Sequence, residues 1–114
     1  MADDAFQSFR SGERRAVLAP KTIADGLRGS IGVRNFALLR RWVDDVVTVS
    51  EAQIVDAMRI VLADFKLLIE PSSAVAVAAV LAGSLGRRGE RIGVVISGGN
   101  IDLDVCPFLR GERL

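Results

Sequence analysis

The chain has 114 residues, half of them apolar and a quarter charged, with a net charge of +1. That is the composition of a single globular domain, and its near-balanced, scattered charge points to no nucleic-acid or polyanion partner. A single cysteine, Cys106, excludes an internal disulfide, and the lack of histidine removes the commonest general base and metal ligand.

Residues 1–19 are mixed and polar, with a short helix or loop expected around Ala5–Arg10. Pro20 punctuates the chain. Thr22-Ile23-Ala24-Asp25 fits a capping arrangement, in which the hydroxyl accepts from the backbone N–H three residues on and the carboxylate reaches back. Gly26, Gly29 and Gly32 follow, so any helix there is short. Residues 34–42 are predicted as a helix, because Phe36, Leu39 and Trp42 recur at a spacing of three. The β-branched run Asp45–Val49 reads as a strand.

Ser50 is a good N-cap for a helix over 51–65, whose stripe is Ile54, Val55, Met58, Val61, Leu62 and Phe65. Pro71 suits the first position of another helix. Its segment Ala74–Ala82 is almost purely small and apolar, so burial on nearly all sides is expected. After the breaker stretch Gly83–Glu90, the apolar run Ile92–Ile96 reads as a central parallel strand ending in Ser97-Gly98-Gly99-Asn100. The order of elements implies an α/β fold.

No run approaches the ~20 apolar residues of a membrane span. Met1–Phe6 has no secretory leader pattern, so a cytoplasmic location is expected. In open α/β sheets, ligands bind beyond the carboxyl ends of strands. A serine there, followed by two glycines, offers a hydroxyl and a close backbone to a flat ligand. Gly-Gly and Gly-Asn are equally ordinary turn dipeptides.

Four segments resemble, in register, the pyridoxal-phosphate (PLP) ammonia-lyases of the threonine dehydratase and serine racemase family. Thr22–Leu27 resembles its T-I-A-D-G-L/V stretch, and Lys66–Ala74 its K-L-L/V-I/V-E-P-S/T-A/G-A/G stretch. Val43–Glu51 and Ser97–Leu103 also resemble the family, the latter its C-terminal motif. The match runs from Ala2 to about Leu103 and implies part of the large, three-layer Rossmann-like domain of a fold-type-II enzyme.

The resemblance also implies roles. Ser97 is implied to hydrogen-bond the pyridine nitrogen of pyridoxal 5′-phosphate, with Gly98 beside it. A carboxylate in that place would hold the nitrogen protonated; a neutral hydroxyl does not, which favours β-elimination over transamination. Gly26 is implied to approach the ring by its backbone, or is a simple helix breaker. Glu70 is implied to lie beside the ring, or is a helix-entry carboxylate. Asp25 is implied to lie near substrate, a role compatible with capping. Lys66 and Asn100 correspond to nucleotide contacts in some racemases. Ala2 and Asp4 fall where the family places two ligands of Mg2+ or Ca2+; the third ligand precedes Met1, and an ordinary acidic N-terminus is the alternative.

The Schiff-base lysine is expected outside this chain. Neither Lys21 nor Lys66 lies in an S-x-K-x-R-A/G context, and no glycine-rich phosphate cradle is present. The chain is therefore expected to be an inactive C-terminal piece of a homodimeric threonine or serine dehydratase, or serine racemase, of the short kind without a regulatory domain. The rest of the catalytic domain, or an N-terminal partner, would complete the site. The alternative is a non-catalytic subunit or remnant that docks on a full-length homologue.

Overall fold

The computed structural model describes residues 2–85, 89–106 and 108. The chain divides into two compact units, Met1–Thr48 and Val49–Leu114.

The first unit holds α1 (Asp4–Ser11), a 3-10 turn (Asp25–Leu27) and α2 (Val33–Trp42). Gly12 ends α1 in the left-handed conformation, φ 76°, and its N–H donates to the Ser8 carbonyl. Helices α1 and α2 pack together. Polar contacts do most of the joining here. Ser8 is fully buried, and its hydroxyl accepts from the Arg15 N–H at 2.8 Å. The Arg14 Nε donates to the Ile31 carbonyl at 2.8 Å, and Arg10 pairs with Asp45 at 3.0 Å. Among the described apolar residues of this unit, Ala24 is buried, whereas Leu18, Val33, Leu38 and Trp42 are exposed.

The second unit holds α3 (Glu51–Ile60), a π-helical turn (Val61–Phe65), α4 (Pro71–Leu81) and a 3-10 turn (Leu103–Val105). Ser50 and Gln53 form the capping box that starts α3, each side chain bonded to the other's backbone N–H. The buried stripe of α3 is Ile54, Ala57 and Met58, continued by Val61, and the buried residues of α4 include Ala74, Ala78 and Ala79. The two helices pack against each other. Alanines on α4 let the backbones approach closely, and burying Met58 contributes about 1.5–3 kcal/mol.

Four expectations differ from the structure. Asp45–Val49 and Ile92–Ile96 are not strands; no strand occurs among the described residues, so the α/β reading is not met within them. A strand exists through its ladder, and neither run has a paired neighbour here; Val95 is 78% exposed. The helix over 51–65 leaves α-geometry at Val61, and Phe65 is exposed. Helix α4 is not buried on nearly all sides, since Ala76 and Leu81 are exposed. The capping arrangement also differs: the Thr22 hydroxyl accepts from the Ala24 N–H, two residues on rather than three, at 3.1 Å.

Ser50→Ala removes half of the capping box. It should lower stability by about 0.5–2 kcal/mol, read as a lower urea midpoint at unchanged slope. An unchanged midpoint would mean that the box contributes nothing.

Candidate functional site

Glu70, Ser73 and the segment 97–100 come together in the second unit. Glu70 is the N-cap residue of α4, with φ −73° and ψ 157°, and Pro71 fills the first helical position. Proline there gives up an N–H that would have had no intrahelical partner. The Glu70 carbonyl accepts from the N–H groups of Ser73 and Ala74, both at 3.1 Å.

The same residue holds the turn. Its N–H donates to the Gly98 carbonyl at 3.2 Å, and its Oε2 accepts from the Asn100 N–H at 3.0 Å. Buried Ser73 supplies a third tie, its Oγ accepting from the Ser97 N–H at 2.9 Å. Ser97 is exposed, and none of the described residues hydrogen-bonds its hydroxyl. The backbone of Ser97 is therefore anchored while its side chain stays accessible.

Gly99 is required for space, and Gly98 leaves room for the Glu70 carboxylate. A Cβ on Gly98 would lie 2.8 Å from Glu70 Oε2, and one on Gly99 would lie 2.8 Å from the Leu68 carbonyl oxygen. Neither has the positive φ seen at Gly12. The turn is thus pressed against Glu70 and Leu68.

The family described as pyridoxal-phosphate dependent enzyme matches residues 1–98. The chain belongs to that family. It is 41% identical over 107 residues to the beta-hydroxyaspartate dehydratase of Paracoccus denitrificans (strain Pd 1222), covering 94% of this chain and 34% of that one. It is 44% identical over 107 residues to the serine racemase of Arabidopsis thaliana, covering 90% and 32%. Among solved structures, maize serine racemase superposes with a TM-score of 0.83 at 38% identity, covering 90% of this chain and 33% of that one. A T.th. threonine deaminase does so with a TM-score of 0.76 at 38% identity, covering 89% and 37%. The chain spans about a third of the length of these relatives.

For a member of the pyridoxal-phosphate-dependent enzymes, the second unit groups three of the four expected cofactor residues: Ser97, Gly98 and Glu70. The expected nucleotide residues belong to the same unit. The amine of Lys66 donates to the Ala63 carbonyl, on a backbone with φ 58°, and the Asn100 N–H is taken by Glu70. Asp25 and Gly26 belong to the first unit, in the 3-10 turn, where the Gly26 N–H donates to Asp25 Oδ1 at 2.9 Å. Asp4, expected as a cation ligand, is buried, and its Oδ2 accepts from the Ile31 N–H at 2.6 Å. Among the described residues no group of three or more acidic or cysteine side chains is placed to hold a metal ion. Sequence reasoning missed Ser73, whose importance comes from a contact 24 residues away.

Gly98→Ala should force the Glu70 carboxylate off the Asn100 N–H and cost about 0.5–1.5 kcal/mol, measured by urea unfolding. In a Glu70→Ala background the same change should cost clearly less. Strict additivity of the two would show that the close approach carries no energy.

Proposed function

We propose that this chain supplies one wall of the cofactor site in a PLP-dependent ammonia-lyase. In that enzyme L-threonine or L-serine is dehydrated and deaminated to a 2-oxo acid and ammonia, or serine is racemised. The observation that carries the reading is the backbone-anchored Ser97, with an accessible hydroxyl next to Gly98 and Glu70.

The donor chemistry fits the group. Ser97 offers a neutral hydroxyl, able to donate to or accept from a pyridine nitrogen. Gly98 and Gly99 keep side chains away from the turn, and Glu70 holds the backbone in place. When bound, PLP supplies an electron sink for the substrate's α-carbon. In this reading Ser97 orients the ring without fixing a proton on its nitrogen, which favours loss of a β-hydroxyl over transamination. Asp25 and Gly26 are assigned to the substrate side and the ring face, and Asp4 with the Ala2 carbonyl to a divalent cation. Dehydratase and racemase relatives at 41% and 44% identity support the substrate class.

The Schiff-base lysine and the phosphate cradle are assigned to the rest of the catalytic domain. The exposed apolar run Ile92–Ile96 supports that division, because exposed apolar patches mark surfaces that are covered in an assembly.

Two measurements test this. Purified chain with PLP and L-threonine should form no 2-oxobutyrate above the uncatalysed rate; formation at enzymic rates would contradict a lysine located elsewhere. Placed in the Arabidopsis racemase in exchange for the matching segment, the chain should support catalysis. There Ser97→Ala should lower kcat/KM by about two- to tenfold, the loss of one hydrogen bond. A hybrid unaffected by Ser97→Ala would remove Ser97 from the site.

A further inference from the structure

We propose that Ser73 is a positioning residue for the cofactor-facing turn: it takes the Ser97 amide and so sets the direction in which the Ser97 hydroxyl leaves the backbone. The inference rests on the cofactor-wall reading above and adds a residue which that reading does not assign.

Three ties hold the turn, and they divide the work unequally. Glu70 binds the carbonyl of Gly98 and the N–H of Asn100. The tie on Ser97 itself is made by Ser73, Oγ to N, at 2.9 Å. Ser73 is 2% exposed, so water does not readily replace that acceptor. It sits in the first turn of α4, where its own N–H is held by the Glu70 carbonyl at 3.1 Å. The hydroxyl that grips Ser97 is thus mounted on a rigid helix start.

A serine side chain has one heavy-atom rotor with three staggered wells, so the backbone that carries it limits its hydroxyl to three directions. The Ser97 amide fixes the peptide plane before the Ser97 Cα, and the Gly98 carbonyl fixes the plane that follows Gly98. Without the Ser73 hydroxyl, the plane before Ser97 loses its anchor while the one after Gly98 stays held.

The test uses the full 114-residue chain, labelled with 15N, as wild type, Ser73→Ala and Ser73→Thr. The probe is pyridoxine 5′-phosphate, which has the ring and phosphate but no aldehyde and so needs no lysine. Wild-type Ser97 and Gly98 amides should shift on weak, fast-exchanging binding of the probe. Ser73→Ala should speed hydrogen exchange at the Ser97 amide by about two- to tenfold and weaken the probe by a similar factor. Ser73→Thr, which keeps the hydroxyl, should restore both, while Ile54 and Met58 amides keep their exchange rates in every variant and report an intact helix pair. Faster exchange with unchanged probe affinity would overturn the positioning role and leave the cofactor wall standing. Unchanged exchange in Ser73→Ala would overturn it as well. Wild-type Ser97 and Gly98 amides that ignore the probe would overturn the cofactor wall and the positioning role together.

Discussion

The first turn of α4 and the Ser97–Asn100 turn share one set of backbone hydrogen bonds, and Glu70 stands at their centre. Its carbonyl receives Ser73 and Ala74, its N–H reaches Gly98, and its carboxylate receives Asn100. A carboxylate at a helix N-terminus is already favourable toward the helix dipole. Here it also meets a backbone donor from a segment 30 residues on. The glycines follow from this arrangement, since a side chain on Gly98 would occupy the volume of the Glu70 carboxylate. So does the accessibility of Ser97: the turn is held by its main chain, which leaves its side chain for a ligand.

The two units reach order by different means. The second has an apolar core in which Ile54, Met58 and Val61 are buried, as are the alanines of α4. The first depends on side chains that satisfy backbone groups: Asp4 receives Ile31, Ser8 receives Arg15, and Ser30 receives Val17. Burial of Asp4 at such a bond follows the rule that a buried carboxylate must be hydrogen-bonded. The residue assigned to a cation thus already has a structural role on one of its oxygens.

What was legible in the amino-acid sequence is what depends on near neighbours. The Ser50 cap, the Ile54–Met58–Val61 stripe and Pro71 at a helix start all lie within one or two helical turns, and all are found. Ser97-Gly98-Gly99-Asn100 was legible as a motif, and the family match over residues 1–98 agrees with the resemblance that it carried. The strands read at Asp45–Val49 and Ile92–Ile96 are not found among the described residues, because β-branched composition describes a preference while a strand needs a partner to pair with. The π-helical turn at Val61–Phe65 was hidden by a stripe that runs unbroken through it. Ser73 was hidden because a serine in a small-residue helix has no local signal for a bond to Ser97.

In the proposed site, Ser97 faces the cofactor's ring nitrogen from an anchored backbone. This is tested most directly by a crystal structure of this chain joined to the missing portion of a relative's catalytic domain and loaded with PLP. The Ser97 Oγ should lie at hydrogen-bond distance, about 2.7–3.0 Å, from the pyridine nitrogen, with Ser73 and Glu70 still holding the turn. A ring nitrogen bound by another group, with the Ser97 hydroxyl pointing away from the cofactor, would contradict it.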